Sequence, residues 1–195
     1  MKKIFSLLAA ILFVGTMWGT DVIYPDAGTT LNSNWDKSSG RVARQTVNSK
    51  VVIQLQKPNS GSYGELFSKG TYSNITGISV NATSNNNKSA QLTLYYSSNG
   101  TSWTEVSSET VSGSNSQAYN DYPFTITSLP STAVYIKFRN TDSSNSVYIY
   151  SVDITTGSGS QDPSVLQNHW MSVIVFFLPL AGHVFHNVKD RFNPF

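Results

Sequence analysis

The stretch that decides the fold covers residues 92–106 and has the sequence LTLYYSSNGTSWTEV. It contains two segments of alternating apolar and polar residues, separated by Asn99-Gly100. Alternation with a period of two is typical of a β-strand that has one buried and one solvated face. Asn and Gly readily adopt the positive φ angles of a type I′ turn. The sequence therefore predicts a β-hairpin with these two residues at its tip.

The same alternation recurs outward from this hairpin, between Val22 and Thr156, and no stretch of ten residues there shows helical periodicity. Short alternating runs separated by Gly, Asn, Ser and Pro predict an all-β, antiparallel sandwich. A jelly roll is the favoured arrangement, and an immunoglobulin-like sandwich is the alternative. In the last run, we expect Tyr148, Tyr150, Val152 and Ile154 to share one face. The predicted core residues are Leu92, Leu94, Ile136, Phe138 and either Ile149 or Ile154.

The chain begins with the pattern of a secretory signal peptide. Two lysines, Lys2 and Lys3, precede an apolar run from Ile4 to Val14 that is too short to span a bilayer. We expect cleavage near residue 20 and a secreted or cell-surface location, with an uncleaved N-terminal anchor as the alternative. The predicted organisation is a signal peptide at 1–20, a β-sandwich at 21–156, a linker at 157–163 and an atypical tail at 164–195.

The tail differs in composition from the predicted sandwich. It contains all three histidines and an apolar run from Trp170 to Ala181, which is shorter than the roughly 20 residues of a membrane-spanning helix. A truncated or frame-shifted end of a longer gene would explain the change, and a short membrane-associated helix is the alternative. Contact with a membrane is therefore expected only through this tail.

The charge of the predicted sandwich restricts the classes of partner. Only 12% of the 195 residues are charged, and the aromatic residues make up an equal share of 12%. Nine basic and nine acidic side chains balance between residues 21 and 160. A neutral domain has no broad positive field that would attract phosphates, so nucleic acid is not an expected partner. The chain has no cysteine, which excludes disulfides and thiolate chemistry.

The hairpin also carries a resemblance to a known family. Residues 94–106, with Asn99-Gly100 followed by Trp103 and Val106, resemble a hairpin of the discoidin-like, galactose-binding jelly rolls. Residues 134–140 are similar to the penultimate strand of those domains, and residues 150–155 are similar to their closing strand. The resemblance covers residues 74–156 and implies a jelly-roll module of a secreted bacterial protein, of the kind found in glycan-degrading enzymes and adhesins.

The resemblance implies that a glycan or a cell-surface polysaccharide is the partner. It also implies a weak candidate metal ligand, because some related modules hold a structural calcium at the position of Asp153. Calcium takes six to eight oxygen ligands, and the sequence offers no acidic cluster to supply them. A solvated aspartate is therefore the favoured interpretation, and no cofactor is expected.

The candidate ligand-binding residues combine aromatic rings with polar side chains in predicted loops. Trp35 lies in a Ser/Asn-rich segment, which makes it the preferred platform for stacking on a sugar, although a loop Trp folded over the end of the sandwich is equally compatible. Trp103 is the other candidate platform, but packing under the hairpin is favoured for it. The expected ligand-binding set is Trp35, Asp36, Tyr63, Tyr119, Tyr122, Arg139 and Asn140.

Catalysis is not expected. No histidine lies in the predicted sandwich, which excludes a Ser–His triad there. Glu105 and Glu109 follow the hairpin as ordinary surface acids and do not form the facing pair of carboxylates that a glycosidase needs. The sequence favours a non-catalytic carbohydrate-binding module, and a structural spacer or adhesin domain without a small-molecule ligand is the alternative.

Overall fold

The computed structural model describes residues 17–25 and 28–157. In this part the chain forms eleven strands, which in chain order are β1 (Met17–Val22), β2 (Trp35–Lys37), β3 (Val42–Val47), β4 (Lys50–Leu55), β5 (Glu65–Ser68), β6 (Ile75–Ser84), β7 (Ser89–Ser97), β8 (Thr104–Ser112), β9 (Asn120–Pro123), β10 (Tyr135–Asn140) and β11 (Val147–Thr156).

These strands form two antiparallel sheets. Sheet A has the order β3-β4-β11-β6-β9, with β1 added beside β11, and sheet B has the order β2-β5-β10-β7-β8. One hydrophobic core collects apolar side chains from strands of both sheets. The predicted all-β antiparallel sandwich is confirmed.

The core follows from the alternation in the sequence. Leu92, Leu94, Ile136 and Phe138 are each fully buried, as predicted. The ring of Phe138 lies at the centre of an aromatic group, with its centroid 6.0 Å from that of Trp35 and 5.6 Å from that of Phe124. Burial of one such large apolar side chain contributes about 1.5–3 kcal/mol to folding.

Strand β11 departs from simple alternation. Ile149 and Ile154 are both buried, although residues an odd number of positions apart face opposite sides of a regular strand. A register shift between Ile149 and Ser151 in the pairing with β6 accounts for this, because a bulge changes which residues face inward. The prediction that Tyr148 and Tyr150 share a face with Val152 and Ile154 is wrong for the same reason.

The hairpin between β7 and β8 is confirmed, but its turn is not of type I′. Gly100 has a φ of 74°, whereas Asn99 does not have a positive φ, and the connection spans residues 98–103. The Asn99 side chain stabilises this longer loop, since its Oδ1 accepts hydrogen bonds from the backbone N–H groups of Thr101 and Ser102, both at 2.9 Å. Side-chain capping of this kind competes with the two-residue turn.

The ends of the described region bear on the predicted domain boundaries. Strands β4 and β1 pair with successive parts of β11, β4 with Val147–Ile149 and β1 with Ser151–Thr156. Residues 17–20 of the predicted signal peptide therefore belong to β1. The rest of that segment, most of the linker and the tail at 164–195 lie outside the described residues. Within the described part, no helix has the length and apolar character needed to cross a membrane.

Candidate functional site

The outer face of sheet B, which points away from the core, carries a line of directly opposed side chains that crosses all five strands. We call it the cross-strand row, and it consists of Asp36, Phe67, Lys137, Tyr95 and Glu105. Directly opposed residues of antiparallel strands point to the same face and lie within contact distance. Antiparallel pairing therefore brings together two aromatic rings, one ammonium group and two carboxylates from five separate segments.

Aromatic rings and cations alternate on this face. The Lys137 Nζ lies 4.3 Å from the ring centroid of Trp103 and 5.3 Å from that of Tyr95. The Arg139 guanidinium carbon lies 4.9 Å from the ring centroid of Tyr95 and 4.5 Å from that of Tyr63. We call the series Trp103, Lys137, Tyr95, Arg139 and Tyr63 the aromatic–cation ladder. Each of these distances is within the range of cation–π attraction.

Glu65 links the two cations of the ladder. Its Oε1 accepts hydrogen bonds from Arg139 Nε at 2.7 Å and lies 2.5 Å from Arg139 Nη2 and 3.2 Å from Lys137 Nζ. The Lys137 side chain is only 4% exposed, and those of Glu65 and Arg139 are 19% and 25% exposed. Burial lowers the pKa of Lys137, the Glu65 carboxylate opposes this, and Arg139 reinforces it. Glu65 thus stabilises a charge that burial disfavours.

A pocket with a volume of about 310 Å³ adjoins the ladder at Tyr63 and Arg139. We call it the serine pocket, and its lining consists of Ser38, Ser39, Gly40, Gly61, Ser62, Tyr63, Glu65 and Arg139. Two loops form its walls. The Ser38 hydroxyl lies within hydrogen-bond distance of the carbonyl oxygens of Gly40 and Tyr63, and the second loop is a tight turn closed by paired backbone hydrogen bonds between Asn59 and Ser62.

Both walls depend on local backbone chemistry. Ser60 and Gly61, at the centre of the Asn59–Ser62 turn, have φ angles of 49° and 79°, the combination of a type I′ turn. Gly64, which follows Tyr63, has no room for a side chain, because an added Cβ would lie 2.7 Å from the Arg41 carbonyl oxygen and 2.8 Å from the Gln56 nitrogen. Because the backbone of Gly64 is held by this close contact, its chain neighbours Tyr63 and Glu65 are held in place as well.

Three of the predicted ligand-binding residues belong to this face. Tyr63 and Arg139 are in contact in the ladder and both line the serine pocket. Asp36 is exposed at one end of the cross-strand row, where its Oδ1 accepts a hydrogen bond from the Lys37 backbone nitrogen at 2.8 Å. Their use by a ligand remains a prediction.

Two predicted residues are part of the interior instead. Trp35 is wrong as an exposed loop platform, because it begins β2, is 0% exposed and packs against Phe138. Its Nε1 donates a hydrogen bond to Asp21 Oδ2 at 3.0 Å. Asn140 is also 0% exposed, and its Nδ2 donates to the carbonyl oxygens of Leu55 and Asn145. Neither side chain has an exposed surface for a ligand.

Tyr119 and Tyr122 lie at sheet A, away from the ladder. The Tyr119 hydroxyl donates to the Val47 carbonyl oxygen at 3.1 Å, and its ring centroid is 6.0 Å from that of Tyr150. Tyr122, on β9, bonds through its hydroxyl to the backbone of Ser112. The structure therefore does not bring these two tyrosines together with Tyr63 and Arg139.

Tyr119 allows a prediction about alkaline pH. Burial raises the pKa of Tyr119 to about 12, with smaller contributions from Tyr148 and Tyr150, and burial followed by Asp21 raises that of Tyr72 to about 12. In the unfolded chain tyrosine ionises near pH 10. Because the folded state keeps these protons longer, their contribution to stability is fully present below pH 10 and is lost as the pH rises through 12.

We expect absorbance titration of the native protein to show tyrosines that ionise well above pH 10, and urea midpoints to fall over the same range. Tyr119→Phe should remove one of the late-titrating groups and leave the early ones. Ionisation of every tyrosine near pH 10 while the protein is still folded would contradict the burial of these two side chains.

Asp153, the weak candidate metal ligand, lies on β11 and is partly buried. Its Oδ1 accepts a hydrogen bond from the hydroxyl of Thr20 on β1. Within residues 17–25 and 28–157, no three side chains of His, Cys, Asp or Glu come together in a group that could hold a metal ion.

Six residues of the face are not in the predicted binding set: Trp103, Tyr95, Lys137, Glu65, Phe67 and Glu105. Trp103, for which packing under the hairpin was favoured, is partly exposed and lies over Lys137. The alternation of Tyr135, Lys137 and Arg139 with buried residues was a signal for an outward-facing polar strand. Its partners could not be read from the sequence, because they depend on the pairing of β10 with β5 and β7.

Comparisons with known proteins gave matches in structure but not in sequence. No family model and no curated protein matches the chain. It is similar to the CBM36-1 domain of a multidomain xylanase from the hindgut metagenome of Trinervitermes trinervoides, with a TM-score of 0.53 and 13% identity over 74% of this chain and 100% of that domain. It is also similar to a variant of the family 29 carbohydrate-binding module CBM29-2, with a TM-score of 0.50 and 13% identity over 73% of this chain and 94% of the module.

A second variant of CBM29-2, solved in complex with mannohexaose, matches with a TM-score of 0.50 and 15% identity over 74% of this chain and 94% of the module. Such low identities establish a shared fold and no more. The predicted antiparallel jelly-roll sandwich is thereby confirmed as the fold.

Proposed function

We propose that the protein is a non-catalytic carbohydrate-binding module that holds a glycan on the outer face of sheet B. The observation that carries this proposal is the aromatic–cation ladder. Trp103 and Tyr63, at its two ends, each contact one cation of the ladder and are partly exposed. A ring with a free face packs against the C–H groups of a sugar, and nearby charged groups hydrogen-bond its hydroxyls.

The polar groups of the face are suited to hydroxyl recognition. Arg139 supplies donors, and Glu65 and Glu105 supply acceptors, while the Tyr95 hydroxyl already donates to Glu105 Oε2 at 3.3 Å. Because Glu65 fixes both cations, little side-chain entropy remains to be lost on binding. The fold also supports the proposal, since the similar structures are carbohydrate-binding modules. Secretion as part of a larger bacterial surface or glycan-degrading protein belongs to the same proposal.

A structural spacer or adhesin domain is the second candidate function. It is favoured by the fact that Lys137 and Arg139 already have partners within the protein. Ion pairs that are complete within the protein stabilise this face of the sheet even when no ligand is bound.

Trp103→Ala and Tyr95→Ala are expected to weaken glycan binding roughly tenfold or more each, because loss of a stacking aromatic costs about 1–3 kcal/mol. Affinity electrophoresis of the full-length chain against a panel of soluble polysaccharides measures this. Tyr148→Ala, which removes a partly exposed tyrosine from sheet A, is the matched control and should bind as the wild type does.

Three outcomes are distinct. Loss of glycan binding in Trp103→Ala, together with wild-type binding in Tyr148→Ala, supports the proposed face. Binding that survives both Trp103→Ala and Tyr95→Ala moves the site elsewhere on the module. A wild-type chain that binds no polysaccharide in the panel supports the spacer.

A further inference from the structure

We infer that the serine pocket holds a single neutral sugar that branches from a glycan main chain lying along the cross-strand row. The ligand would then be a substituted polysaccharide and not a linear one. This inference rests on the proposed function of the outer face of sheet B and divides the ladder between two tasks. Trp103 and Tyr95 contact the main chain, and Tyr63, which lines the pocket, contacts the branch.

The position of the pocket relative to the row indicates that the pocket holds a branch of the glycan and not the next sugar of its main chain. The row crosses the strands through Phe67, Lys137 and Tyr95. Arg139 and Glu65, which line the pocket, are directly opposed to each other in a parallel line two residues further along the same strands. Two residues of a strand span about 7 Å. A main chain that follows the row therefore passes the pocket at its side, where only a substituent reaches in.

The size of the pocket fits one sugar. Its volume is about 310 Å³, which is at the lower end of the range of about 300–1,000 Å³ for ligand pockets. Small residues make this space, because three serines and two glycines form the loop walls. The remaining wall is the group of Tyr63, Glu65 and Arg139. The pocket thus combines hydroxyl groups, one aromatic ring and a paired charge, which matches a ligand rich in hydroxyls.

The charge of the pocket favours a neutral branch over a uronic acid. Arg139 Nε and Nη2 are both directed at Glu65 Oε1, at 2.7 and 2.5 Å. The guanidinium charge is therefore already compensated within the protein. A carboxylate on the branch would lie close to Glu65, and the repulsion between two acids in a partly buried site would oppose binding.

The test compares matched pairs of glycans by isothermal titration with the full-length chain. The pairs are cellotetraose with a xylosyl-branched xyloglucan oligosaccharide, mannotetraose with a galactosyl-branched mannotetraose, and xylotetraose with a glucuronosyl-branched xylotetraose. For a main chain that binds, we expect the neutral branched member to bind about tenfold more tightly than the linear one. The glucuronosyl branch should give no such gain.

Gly40→Trp places a large side chain at the wall of the pocket without backbone strain, because an added Cβ at Gly40 meets no atom within 4 Å and the residue has no positive φ. The variant should lose the preference for the branched glycan and keep the wild-type affinity for the linear one. Gly70→Trp is the control, since Gly70 is equally open but does not line the pocket. It should keep both affinities.

Equal binding of linear and neutral branched glycans by the wild type would overturn the inference while leaving the proposed function intact. A preference for the branch that survives Gly40→Trp would overturn it as well. Failure to bind any of the six oligosaccharides, together with failure in the polysaccharide panel, would refute the proposed function and the inference together.

Discussion

Replacing Trp35 by alanine is expected to lower the free energy of unfolding by about 3–5 kcal/mol. The indole is 0% exposed, packs against Phe138 and joins a core that both sheets share. The substitution would leave a large cavity and would also remove the hydrogen bond from Nε1 to Asp21. Urea unfolding followed by far-UV circular dichroism measures the loss.

Trp35→Phe is the matched variant, because it keeps an aromatic ring in the core and removes the hydrogen bond and part of the volume. A smaller loss of about 1–2 kcal/mol is expected for it. Below its unfolding transition, Trp35→Ala should bind glycans as the wild type does. A large loss of glycan affinity without a loss of stability would contradict this assignment and return Trp35 to the binding site.

Replacing Gly113 by alanine is expected to destabilise the protein by about 3 kcal/mol or more. An added Cβ would overlap the carbonyl oxygen of Asn85 and would lie 2.7 Å from that of Ser84. These neighbours are backbone atoms, which cannot rotate away as a side chain can. Relief therefore requires movement of the segment after β8, which would break the hydrogen bond from the Gly113 nitrogen to the Lys88 carbonyl oxygen, 2.6 Å long.

Gly70→Ala provides the control, because its Cβ would meet no atom within 4 Å. It should leave the urea midpoint unchanged or raise it slightly, since alanine restricts the unfolded chain. Equal stabilities for the Gly113 and Gly70 variants would show that the segment after β8 is not held as closely against Asn85 as the structure has it.

The proposed face and the stability predictions depend on different parts of the molecule. The ladder lies on the outside of sheet B, whereas Trp35 and Gly113 act through the core and a close backbone contact. Trp103→Ala and Tyr95→Ala should therefore change glycan binding with little effect on stability, and variants at Trp35 and Gly113 should do the reverse. Measuring both properties for every variant separates the two roles.

The sequence alone determined the all-β class and the buried faces of β7 and β10. Alternation at Leu92 and Leu94, and again at Ile136 and Phe138, predicted the core correctly because the side chains of a strand alternate between two faces. Asn99-Gly100 predicted the hairpin for a similarly local reason. Each of these features depends on residues that are close neighbours in the chain, so their pattern is visible without knowledge of the fold.

Only the tertiary structure decided the geometry of the turn between β7 and β8, which residues of β11 face the core, and which residues make up the candidate site. Trp35 is buried because β2 pairs with β5 and places the indole against Phe138, a contact over about a hundred residues of chain. Glu65, Lys137 and Tyr95 meet because three strands that are distant in sequence are neighbours in sheet B. Strand order and register are set by the packing of the whole sandwich, and no local pattern of residues contains them.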